Sequence, residues 1–196
     1  EHYYAKPHPT ESRWARLTNA IGLFLDEAAK TVDPPTVGLV TWSSHHADDG
    51  TATVDYPLPP SEIAWSDNRD AIQQALLTRA ADDGTDGVFG GTHMADGMRS
   101  GLAEFQSENI RPFANKVMIL LTDGVYQGED PYQAAIEAQE AGITIHCVSL
   151  LDGSTFAKAQ EIASLTGGDA YMATNDQELR DAFIRIARSL NLVLTK

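Results

Sequence analysis

The chain has 196 residues, with 42% apolar residues and a formal charge of -14 from 28 acidic and 14 basic side chains. That length suits one ordinary α/β domain with a filled core, and the apolar fraction argues against disorder. The acidic balance excludes nucleic acid as a partner, because phosphate binding draws on surplus Lys and Arg. It leaves a self-repelling, soluble surface and acidic loops suited to cations.

The opening stretch, Glu1 to Glu11, is polar, rich in His and Pro, and shows no signal-peptide pattern. It reads as if something upstream had been removed. From Arg13 to Lys30, Trp14, Leu17, Ile21, Phe24, Leu25 and Ala28 recur at spacings of three and four, which predicts a helix. Asp33-Pro34-Pro35 stops it. Thr36–Trp42 (TVGLVTW) predicts a buried strand, and Ser43 to Gly50 a polar loop. Thr51–Leu58 alternates weakly and runs into prolines, so an edge strand or extended loop is expected. Asp67–Ala80 predicts a second helix, and Ala81–Gly91 (ADDGTDGVFGG) a loop rich in Gly and Asp. A third helix is expected from Met94 to about Ser107, with Met94, Met98, Leu102 and Phe105 on one face. Lys116–Thr122 (KVMILLT), the most apolar run, is expected to be a central strand, ended by Asp123-Gly124. A helix over Pro131–Ala141 closes at Gly142, and Ile143–Leu151 (ITIHCVSLL) predicts another buried strand. Phe156–Thr166 predicts a helix stopped by Gly167-Gly168, and Ala170–Ala173 a short strand. A last amphipathic helix, Asn175–Leu190, is capped by Asn175 or Asp176.

Strands alternating with helices predict a doubly wound, mostly parallel sheet with helices on both faces, a three-layer α/β sandwich. No internal repeat or interdomain linker shows, so residues 1–196 are expected to form one domain. No stretch approaches the roughly 18 apolar residues of a membrane-spanning helix.

In such sheets ligands bind beyond the carboxyl ends of the strands. Two loops fall there: Asp123-Gly124, directly after KVMILLT, and Gly90-Gly91-Thr92, at a helix start. A carboxylate and a hydroxyl are the oxygen donors that hard divalent cations take. Each has an ordinary alternative: Thr92 as a helix N-cap, Asp123 as an Asx-type turn. Other candidates read as structural. Asp82, Asp83 and Asp86 do not fit a calcium-loop template, and Asp48 and Asp49 suit a turn. His45 and His46 suit exposed positions, His93 either an exposed position or one facing a partner beside Thr92, and Asp96 the positive end of the third helix. His146 suits a satisfied core position and Cys147 a small buried filler. Asp152 ends the ITIHCVSLL strand, and Trp42 and Trp65 fit either core or rim.

The order of helix, GLVTW strand, GGT at a helix start, KVMILLTDG and GITIHCVSL resembles the von Willebrand factor A domain. The closing LTGGDAYMATNDQELRDAFIRIARSL resembles that family's last strand and helix. The resemblance implies a metal-ion-dependent adhesion site built from three loops, with Thr92 as the second-loop threonine and Asp123 as the third-loop aspartate. It implies Mg²⁺ (or Mn²⁺ or Ca²⁺) held there, and a protein partner whose carboxylate completes the coordination. The family's first loop, Asp-x-Ser-x-Ser after an apolar strand, does not occur in the chain. The ending in NLVLTK resembles the C-terminus of TadG-like proteins of tight-adherence (Flp-type) pilus assembly. That likeness implies a pilin or envelope partner, an extracytoplasmic position and an upstream membrane anchor.

Two other functions follow from the same residues. A metal-free structural or interaction domain is the first, since two of five expected ligands would bind a cation weakly. A metal-assisted hydrolase is the second, but no GxSxG elbow, GxxxxGK[ST] loop or HxxxH pair is present, so a binding module and not an enzyme is expected.

Overall fold

A computed structural model describes residues 13–30, 35–44, 52–58, 65–80, 92–106, 110, 113–150 and 155–191. The polar opening, Gly90-Gly91, His45-His46, Asp48-Asp49, the Asp82/Asp83/Asp86 loop, Asp152 and the LVLTK tail lie outside the described residues.

The described elements are α1 (Arg13–Ala28), β1 (Leu39–Ser44), β2 (Ala52–Leu58), α2 (Trp65–Ala80), α3 (Met94–Glu104) and β3 (Lys116–Thr122). They continue with α4 (Tyr132–Glu140), β4 (Ile143–Leu150), α5 (Phe156–Thr166), β5 (Ala170–Ala173) and α6 (Asp176–Asn191). None of the helices is long and apolar enough to cross a membrane, among the described residues. The expected alternation of strands and helices is present. β1 sits two to three residues later than TVGLVTW predicts, because its antiparallel ladder with β2, Leu39 opposite Leu58 to Ser44 opposite Ala52, sets its extent.

β3, β4 and β5 form one parallel sheet in that order. Among the described residues β4 holds the middle place, with KVMILLT (β3) beside it. Burial agrees, since β4 is enclosed from Ile145 to Ser149 while Val117, Met118 and Ile119 of β3 are only half-buried.

Strand side chains alternate between two faces, so each strand feeds two cores. Met118 and Leu120 of β3, with Ile143, Ile145 and Cys147 of β4, pack under α3, α4 and α5. Ile119, Leu121, Val148 and Leu150 pack on the opposite face against α1, α2 and α6. There Phe24 meets Phe183 edge-on, with ring centroids 6.0 Å apart. Trp14 Nε1 donates to the Leu76 carbonyl at 2.9 Å, which ties α1 to α2. β1 joins the same layers: Trp42 packs with the first core and Leu39 with the second.

Local signals set the helix ends. Asn175 Oδ1 accepts the Glu178 amide at 3.0 Å, while Glu178 reaches back to the Thr174 amide at 2.7 Å. Asn175, one of the two caps expected, thus starts α6 in a variant of the capping box. Gly167 takes φ +78 at the C-cap of α5, and a β-carbon on Gly168 would stand 2.1 Å from the Ile145 carbonyl oxygen. The chain can turn from α5 into β5 at that distance only with glycine there.

His146 is buried, as expected of a satisfied core histidine. Its Nδ1 accepts the Asp169 backbone N–H at 3.0 Å, tying β4 to the start of β5. Burial lowers its pKa, opposed by the Asp169 carboxylate. The folded-state value thus lies below the ordinary value of about 6.5. As pH falls, the unfolded chain takes up this proton first. Stability from this group is complete above pH about 6.5 and declines as pH drops through that value towards the folded one. The carboxylates with lowered pKa, such as Glu129 beside Arg99, add a separate loss below about 4.5. Denaturation midpoints measured between pH 7.5 and pH 5 are expected to decline in the natural chain and to flatten in His146→Asn, whose amide oxygen can accept the same N–H. Equal slopes in the two proteins would contradict the assignment.

Candidate metal site at the sheet rim

β3 delivers Thr122, Asp123 and Gly124 to the carboxyl rim of the sheet. The turn there is made by Thr122: its Oγ1 accepts the Gly124 N–H at 3.3 Å and donates to the Gly124 carbonyl at 3.1 Å. The backbone thus reverses just where the strand ends, and Asp123 stands exposed at the apex.

Thr92 reaches the same place from α3. A β-carbon on Gly97 would stand 2.4 Å from Trp42 Cγ, so the helix lies flush on the β1 indole. That seat brings the first turn of α3 over the end of β3. The Thr92 carbonyl accepts the amides of Met94 at 3.0 Å and Gln127 at 2.8 Å, the second bond linking it to the loop after Asp123. The N-cap of α3 is His93, without a side-chain cap bond, so capping is not the task of the Thr92 hydroxyl. That hydroxyl points at Gly124 instead: a β-carbon built on Gly124 would stand 2.7 Å from Thr92 Oγ1. The Thr92 hydroxyl therefore faces the backbone next to Asp123 at one rim of the sheet.

Two hydroxyl and carboxylate side chains match in kind what a hard cation takes, with water filling the remaining positions. In number they are few, and among the described residues no group of three or more His, Cys, Asp or Glu side chains gathers to hold a metal. The donor set fits a weakly held cation, not a closed cage.

Sequence reasoning had Asp96 and His93 nearby but not their pairing: His93 Nδ1 lies 3.5 Å from Asp96 Oδ2. It missed Thr122 as the turn-former, although a Thr before Asp-Gly at a strand end is the available signal. It also missed Arg99, Glu129 and Glu137, whose meeting has no local sequence sign. Cys147 is buried as expected, and burial pushes its thiol up to about 12. It stays protonated at neutral pH and is no nucleophile.

The closeness of Thr92 to Gly124 is testable by a double-mutant cycle. Gly124→Ala is expected to cost on the order of 1–3 kcal/mol by crowding the Thr92 hydroxyl. In the Thr92→Ala background most of that cost should vanish, read by urea denaturation. An additive pair would show that the two residues do not touch.

The von Willebrand factor type A domain model matches residues 10–184. No curated protein matches the chain. Among solved structures, proximal thread matrix protein 1 from the mussel byssus, with a zinc-occupied MIDAS motif, superposes with TM-score 0.65 at 16% identity. The match covers 90% of this chain and 42% of that protein, so the chain spans about two fifths of its relative's length. An aerotolerance-related membrane protein from Bacteroides fragilis gives TM-score 0.67 at 16% identity, covering 93% and 90%. The manganese-loaded TRAP protein of Plasmodium vivax gives 0.60 at 16%, covering 86% and 65%. These likenesses show the doubly wound fold, and domains of this type commonly serve as adhesion and protein-interaction modules that hold a divalent metal. With the family model spanning most of its length, this chain belongs to the von Willebrand factor type A domain family.

Proposed function

We propose that the chain is a protein-docking module, not an enzyme, whose Thr92 and Asp123 supply part of a metal-ion-dependent adhesion site. The observation that carries this reading is the approach of the Thr92 hydroxyl to Gly124, beside the exposed Asp123. Thr92 Oγ1 and the Asp123 carboxylate would hold Mg²⁺ or Mn²⁺, in either shell, with water completing the set. When bound, the cation supplies an open position for a partner's carboxylate. The residues of this chain orient that contact: Thr122 fixes the turn and the Gln127 amide fixes the Thr92 backbone. The zinc-occupied MIDAS motif of one neighbouring structure and the manganese loading of another support this reading by analogy of fold.

The finer part of the proposal is a place in the bacterial cell envelope. The run LTGGDAYMATNDQELRDAFIRIARSL followed by NLVLTK supports a TadG-like C-terminal domain. Such a domain is extracytoplasmic, on a protein anchored upstream in the membrane, with a pilin or envelope component as partner.

A metal-free interaction domain is the second reading, favoured by the small number of donors gathered among the described residues. Calorimetric titration with Mn²⁺ separates the two. A single-site isotherm of order-of-millimolar affinity is expected. It should be lost in both Asp123→Ala and Thr92→Ala with the unfolding transition retained. A flat titration of the natural chain, or unchanged binding in Asp123→Ala, would overturn the proposal.

A further inference from the structure

The loop from Asp123 to Pro131 carries one half of the candidate site, and the segment leading into α3 carries the other. What holds the two in register is a distinct question from what binds there. The loop meets the start of α3 at the Gln127–Thr92 hydrogen bond, and Gly128, at φ +75, lies under the His93 ring. The next residue, Glu129, makes a two-pronged ion pair with Arg99 of α3: Nη1 to Oε2 and Nη2 to Oε1, both 2.7 Å. The other edge of the same guanidinium takes Glu137 of α4, through Nε at 3.1 Å and Nη2 at 3.0 Å. Arg99 lies in the second turn of α3, the helix that begins two residues after Thr92.

We infer that Arg99 is a positioning residue: its guanidinium latches the Asp123 loop onto α3, the helix that directly follows Thr92. The inference rests on the functional reading above for its purpose, though not for its test. Planar donors are needed, because one group must serve two carboxylates in two directions, and an ammonium is a point charge without that fork. Isolated surface pairs contribute little, but a bidentate geometry is the exception. Two carboxylates facing one cation also make the latch sensitive. Without Arg99, Glu129 and Glu137 face each other as like charges, and the loop is driven off α3. The far side of the loop has its own tie, Lys158 of α5 to Asp130 at 3.1 Å, so release at Glu129 frees the middle of the loop and not its end.

The test is amide hydrogen exchange on the full metal-free chain, with Gln127 as reporter. Its N–H is the direct link to Thr92. Arg99→Lys and Glu129→Gln are expected to speed Gln127 exchange by about tenfold, the scale of one strong charge-assisted bond. The Cys147 amide, bonded to the Asp169 carbonyl at 2.9 Å inside the sheet, should keep its rate. A general loss of stability would instead speed both amides together. Arg188→Gln removes the distant pair with Glu27 and should leave Gln127 unchanged. Unaltered Gln127 exchange in both latch variants, or parallel acceleration of Cys147, would overturn the inference. Failure of the natural chain to bind Mn²⁺ would sink the cation reading alone, and the latch would then stand or fall on the exchange rates.

Discussion

The parallel ladder between β3 and β4 is the constraint on which the rest of the structure depends. Lys116 to Thr122 pair in register with Ile143 to Ser149, and both strands carry apolar side chains on both faces. A parallel pair cannot be closed by a tight hairpin and needs a crossover, which α4 supplies. Because both faces are apolar, both must be covered, and the two cores above and below the sheet follow. The same ladder ends at Thr122, and its end places Asp123 at the rim. Position of the candidate site is thus a consequence of where an apolar run stops.

α3 links this sheet to the β1–β2 pair. Its small residues let it lie close to its neighbours, with Gly97 against Trp42 and Ala95, Met98 and Leu102 in the first core. Among the described residues no ladder joins the two-stranded β1–β2 sheet to the three-stranded β3–β4–β5 sheet, and α3 packs against both. A rigid helix seated in this way can hold a hydroxyl within reach of a loop from a different strand. The hydrogen bond from Gln127 and the fork from Arg99 then hold the loop from its own side. Construction of the rim is therefore mutual.

The acidic surface fits this arrangement. Described ion pairs are largely exposed, such as Arg16 with Asp176 at 3.4 Å, and contribute little singly to stability. Around the rim, by contrast, cations are gathered one to several carboxylates: Arg99 with Glu129 and Glu137, Lys158 with Asp130 and Glu161. Each sharing places part of the negative excess in a fixed geometry near the rim where Asp123 stands.

By itself the sequence determined the element order, most helix boundaries, the buried character of Ile145–Ser149, and the loops on which Thr92 and Asp123 stand. Those features rest on periodicity, Gly and Asn stop and start signals, and motif order, all of which are local. Tertiary structure alone decided that β4 and not β3 takes the middle of the described sheet. It alone decided that Thr122 makes the rim turn, that the Thr92 hydroxyl faces Gly124 and caps nothing, and that Arg99 is shared by Glu129 and Glu137. Each of these is a contact across about 30 residues or more, or a choice between bonding partners equally near in sequence. Such outcomes are fixed by how helices seat on strands, which no window of neighbouring residues records.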